Sequence, residues 1–136
     1  SACLVGSEMC KRDSDVTLAA YGPLVPVALA ASDAAREDGM SVEVVDLRSI
    51  SPLDFDAVEA SVRKTGRLVV THEAPTFGGI GGELASVITE RCFYSLEAPV
   101  LRVGGYHMPY PVAGVEEDYL PSIDRMLEAI DRSLAY

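Results

Sequence analysis

The stretch "RLVVTHEAPTFGGIGGELASVITE", residues 67–90, decides the fold. Its opening "RLVVT" (67–71) is a short run rich in β-branched residues, which predicts a strand buried on both faces. His72 and Glu73 follow, then a loop with Pro75, Phe77 and four glycines. Ile80, Leu84, Val87 and Ile88 then recur at i, i+4, i+7 and i+8, the apolar stripe of a helix. Strand, loop and helix in this order form the repeating unit of an α/β protein.

The same unit recurs on either side. "VTLAAY" (16–21) reads as a strand, broken by Gly22-Pro23. Pro26 suits the first turn of a helix running to about Asp38, with Gly39 as its stop. Val27, Ala30, Ala31, Ala34 and Ala35 are its expected inner stripe. "VEVVDL" (42–47) is the next strand. Ser51 and Asp54 have capping-box spacing with Pro52 at the first helical position. Phe55, Val58 and Val62 give that helix its apolar face, and Gly66 ends it. "VLRV" (100–103) is the fourth strand, followed by the loop "GGYHMPYPVAGVEED" (104–118). Ile123, Met126, Leu127, Ile130 and Leu134 mark a last helix starting near Pro121, with Asp118 placed to favour its N-terminus.

Strands alternating with helices of about three turns predict a three-layer α/β sandwich. Its sheet is mainly parallel, with helices on both faces. Residues 1–14 read as a linker remnant or tail and residues 15–136 as one domain.

Composition narrows the function. The 136 residues carry a net charge of −10. A nucleic-acid binder needs cations to displace counterions from phosphates, so that class is disfavoured, as is an anionic membrane surface. Cys3, Cys10 and Cys92 show no zinc spacing, and only His72 and His107 are available beside them, so no metal site is expected. No signal peptide or membrane-length apolar run is seen, which reads as a cytoplasmic, reduced protein.

Ligands in such sheets bind beyond the carboxyl ends of the strands. The loop "YGPLVP" (21–26) lacks a dinucleotide fingerprint. In "DLRSISP" (46–52), Asp46 and Arg48 could pair or meet a polar ligand, but the favoured reading is that Asp46 ends a strand and Ser51 caps a helix. Gly79-Ile80-Gly81 begins a G-x-G, but Leu84 stands where the third glycine belongs. No P-loop or nucleophile elbow is present. His72 could act as a base, yet no nucleophile accompanies it. The bland reading is that the glycines allow close packing, with His72, Glu73 and Phe77 at an interface. Tyr106 and His107, in a loop rich in Met and Pro, read equally as a contact surface or as a rigid loop folded on its own domain. Glu116, Glu117 and Asp118, continued by Asp124, Glu128 and Asp131 on the last helix, are either a solvated face or a docking site for a basic module.

Taken in order, "DVTLAAYG", "SVEVVDLRSISPLD", "RLVVTHEAPTFGGIGGELASVITE" and "APVLRVGGYHMPYP…EEDYLP" resemble one family. It is the C-terminal, transketolase-C-type domain of the beta subunit of thiamine-diphosphate 2-oxoacid dehydrogenases. The tail "RVGGYHMPYP" is most similar to branched-chain (2-oxoisovalerate) enzymes. The alternatives are a pyruvate or acetoin dehydrogenase, or a stand-alone α/β interaction module. The resemblance implies a sheet of about five strands, with one edge strand often antiparallel. It implies oxidative decarboxylation of a 2-oxoacid on thiamine diphosphate and Mg in the complete enzyme, with transfer of the acyl group to lipoyl. The cofactor residues lie in the family's other domains, so no catalytic, cofactor-binding or metal residue is carried onto this chain, and the fragment alone is expected to be inactive. The implied partners are an alpha subunit and a second beta subunit in an α2β2 assembly, and the basic subunit-binding module of the acyltransferase core.

Overall fold

The structure is a computed structural model that describes residues 14–136. Strand and helix alternate as β1 (Val16–Ala20), α1 (Leu24–Glu37), β2 (Val42–Asp46), α2 (Phe55–Thr65), β3 (Leu68–Pro75), α3 (Ile80–Cys92) and β4 (Leu101–Gly105). A 3-10 turn (Ala113–Val115), the short α4 (Glu116–Tyr119) and α5 (Ile123–Leu134) complete the chain.

The sheet order is β2-β1-β3-β4, with every pairing parallel. Val16, Leu18 and Ala20 of β1 face α1 and α5, where Ala31, Ala35, Met126 and Ile130 close one core. Ala19 and Val70 face the opposite way, onto Val58, Val62, Leu84 and Ile88 of α2 and α3. Full burial of a side chain such as Leu18 or Ile88 contributes about 1.5–3 kcal/mol. The α/β sandwich with helices on both faces is therefore the one expected. Among the described residues the sheet has four strands, not about five, and the antiparallel edge strand is not among them. The tail expected over residues 1–14 lies outside the described residues, as do Cys3 and Cys10, except that Ser14 is buried.

Local expectations differ in four places. β3 runs on to Pro75, so His72 and Glu73 lie within the strand and not after it. The first helix turns its Leu24, Ala28, Ala31, Ser32 and Ala35 face inward, leaving Val27, Ala30 and Ala34 half-buried. The Ser51/Asp54 capping box does not form. Ser51-Pro52 is a cis bond in a turn, and Asp54 itself caps α2 by accepting from the Ala57 amide at 3.0 Å. Asp118 does not serve the last helix, because it belongs to α4, and Ser122 caps α5. Gly39 and Gly66 do end their helices, at φ of +83° and +71°, a region costly for any side chain with a Cβ.

The topology fixes where a site can be. The chain moves outward from β1 to β2, then crosses back over β1 to place β3 on its other side. The carboxyl ends of β1 and β3 thus flank the point where the winding reverses, the usual crevice of such sheets.

Candidate functional site at the carboxyl edge of the sheet

Tyr21, just past β1, and His72, in β3, meet at this crevice with ring centroids 6.1 Å apart. The His72 side chain is fully buried. Its Nε2 accepts from the Gly81 amide at 3.2 Å, so the ring proton sits on Nδ1 and is donated to the Ala74 carbonyl at 2.8 Å. Burial holds its pKa below the ordinary 6.5, and the nearby Arg102 charge acts in the same direction, while the Ala74 hydrogen bond opposes them. A neutral imidazole with both nitrogens engaged has no site left to take a substrate proton.

The glycines are explained by the same ring. A Cβ on Gly79 would stand 2.4 Å from the Pro75 carbonyl oxygen and 2.6 Å from His72 Cε1. One on Gly81 would stand 2.7 Å from His72 Nε2, and one on Gly104 3.0 Å from Cε1. The loop is closed around a side chain of its own domain. The space where a diphosphate would be cradled is filled, and the Gly81 amide is already used. Among the described residues no group of three or more His, Cys, Asp or Glu could hold a metal ion. These residues offer neither a phosphate cradle nor magnesium ligands, so they do not fit thiamine diphosphate.

Above the buried ring the surface changes character. Phe77 is 74% exposed and meets the His107 ring at a tilt of 58°, with centroids 4.6 Å apart. Tyr106, Met108, Tyr110, Val112 and Val115 are also exposed. Together they form an apolar, aromatic rim on the loops that follow β3 and β4. Exposed apolar patches of this kind mark contact surfaces. The rim is held from below. Tyr119 is buried, packs edge-on against Tyr106 and Tyr110, and fills the space that a Gly105 side chain would occupy. Tyr110 donates a hydrogen bond to Glu116, and this bond with the Glu116 charge pushes its pKa up to about 12. The half-buried Glu73 charge lies close enough to raise the Tyr110 and Tyr21 phenols, although burial is the larger cause at Tyr21.

The structure thus brings Phe77, Tyr106 and His107 together at the surface, with the Glu73 charge close to Tyr110 and Tyr21. His72 offers nothing directly to a partner; it supports the loop that carries Phe77. Asp124, Glu128 and Asp131 are exposed along α5. Tyr119, Arg102 and Arg125 were missed in the sequence. Tyr119 follows three acids, and only its packing under Gly105 reveals its role.

A family model described as "Transketolase, C-terminal domain" matches residues 7–126. The chain is 53% identical over 133 residues to the pyruvate dehydrogenase E1 component subunit beta of Leifsonia xyli subsp. xyli, covering 98% of this chain and 40% of that one. It is 48% identical over 132 residues to the 3-methyl-2-oxobutanoate dehydrogenase subunit beta of Mycobacterium tuberculosis, covering 96% and 38%. A solved structure described as a split-gene transketolase, inactive beta4 tetramer, superimposes with a TM-score of 0.75 at 27% identity, covering 90% of this chain and 40% of that one. The chain spans about two fifths of the length of these relatives.

Proposed function

Because this chain belongs to the transketolase C-terminal domain family, we propose that it is the assembly and partner-docking domain of a 2-oxoacid dehydrogenase beta subunit. The observation that carries this reading is the aromatic rim over a site with no free chemistry. His72 has both nitrogens engaged, and Phe77, Tyr106 and Met108 face outward above it.

The complete enzyme decarboxylates a 2-oxoacid on thiamine diphosphate and Mg and passes the acyl group to lipoyl. Both groups belong to its other domains and to an alpha subunit. The rim packs within an α2β2 assembly. The acidic side chains Asp124, Glu128 and Asp131 receive the basic subunit-binding module of the acyltransferase core. A branched-chain substrate is supported by the tail "RVGGYHMPYP" and by branched-chain relatives at 43–48% identity. A pyruvate substrate is supported by the relative at 53% identity. Among the described residues no helix is long and apolar enough to cross a membrane.

Surface plasmon resonance of the basic module against the beta subunit tests the docking. Asp124→Lys with Asp131→Lys should weaken binding, and the loss should be larger at low salt, because exposed charges are screened at high salt. Unchanged affinity at low salt would remove α5 from the docking surface.

A further inference from the structure

Among the described residues Arg36, Arg48, Arg63, Lys64, Arg67 and Arg91 each contact a carboxylate. Arg102, Arg125 and Arg132 contact none. In a chain of net charge −10, cations find carboxylates easily, so three neighbouring arginines without one are informative. All three line a single open cleft of about 360 Å³ between β4, at the edge of the sheet, and α5.

Two of the guanidinium groups are held in place by backbone. Arg125 Nη2 donates to the Gly104 carbonyl at 2.7 Å, and its plane lies over the Tyr106 ring, 4.7 Å from the centroid. Its Nη1 is shielded from solvent and has no hydrogen-bond partner among the described residues. Arg102 Nη1 donates to the Thr76 carbonyl at 3.3 Å. Each guanidinium carries five N–H donors in a fixed fork, so both retain donors for a further acceptor. A shielded, unpartnered donor is costly, and an anion would offset that cost. Thr76 lines the same cleft, and so does Glu128, the one carboxylate among its lining residues, which opposes an anion.

We infer that this cleft binds a small oxyanion, a molecule presenting a phosphate or carboxylate group to Arg102, Arg125 and Arg132. Planar arginine forks match both groups bidentately. The cleft adjoins the aromatic rim, since Arg125 lies over the Tyr106 ring, but anion binding is read directly and does not depend on the assembly reading.

Titration of inorganic phosphate and of citrate into the purified chain at low ionic strength, followed by backbone-amide NMR, tests it. The expected result is saturable shifts at Thr76, Gly104 and Arg125 with one or both anions. Arg102→Gln should weaken binding about tenfold, the scale of a charge-assisted hydrogen bond. Arg132→Gln, on the exposed face of α5, should weaken it severalfold without touching the fold. Glu128→Gln should strengthen it, an effect that a merely structural arginine cluster would not give. Arg36→Gln, on α1, should change nothing. No saturable shift with either anion would overturn the inference. So would equal weakening by Arg36→Gln, or binding of an acidic peptide when neither small anion binds.

Discussion

The Gly81 amide donates to His72 Nε2 at 3.2 Å, and a Cβ at position 81 would lie 2.7 Å from that nitrogen. The glycine loop is therefore shaped by a buried imidazole and not by a ligand. Gly79→Ala and Gly81→Ala should each destabilise the domain by about 1–3 kcal/mol, the range for overpacking a filled core. Gly79→Ala should be the worse, because its new Cβ meets a backbone carbonyl that cannot rotate away. Urea unfolding followed by circular dichroism gives both values. Wild-type midpoints would mean that the loop is loose around the ring.

Protonation of His72 should couple to stability. Burial lowers its pKa in the folded state, so the unfolded chain takes up the proton first as pH falls. Its contribution is complete above the unfolded value near 6.5, declines as pH drops below that, and levels out below the folded-state pKa. The slope is at most about 1.4 kcal/mol per pH unit for one proton. His72→Gln should cost roughly 1–3 kcal/mol at neutral pH through its lost hydrogen bonds. It should also flatten the decline just below pH 6.5. An unchanged slope in the variant would assign the pH dependence to other groups.

Glu43 is almost wholly buried in the edge strand β2 and is paired with Lys64 of α2 at 2.8 Å. The pair is one-sided, since Lys64 remains partly in water. Lys64→Met should cost roughly 2–4 kcal/mol by leaving a buried carboxylate unpaired. The double variant Glu43→Leu/Lys64→Met should recover most of that loss. Thermal unfolding of the two variants decides it; equal losses in the single and the double variant would mean that packing, not charge, dominates there.

The layers of the fold were legible because the helices and strands carry their periods openly. Val16 to Ala20 is buried throughout, and Leu84 and Ile88 fall on the face that the i, i+4 spacing assigns. Helix starts were less legible. Ser51 and Asp54 have the spacing of a box, yet Asp54 alone reaches the free amide of Ala57, and the helix begins after it. The site was half legible. Phe77, Tyr106 and His107 stand out in the sequence by residue type, and the fold gathers them in one place. The apolar run in the sequence stops at Thr71, which puts His72 just after the strand, and nothing local shows that β3 continues to Pro75. The arginine cleft was not legible, because Arg102 and Arg125 are joined only through the Gly104 and Thr76 carbonyls of the folded edge.

The central claim is that the carboxyl edge assembles subunits and does no chemistry. Its most direct test is sedimentation velocity of the complete beta subunit mixed with its alpha subunit. Phe77→Asp combined with Val112→Asp alters the two most exposed apolar side chains of the rim and should leave thermal stability within about 0.5–1 kcal/mol of wild type. The account predicts that this variant stays folded but no longer forms the α2β2 species. A full-size assembly at wild-type affinity would contradict it.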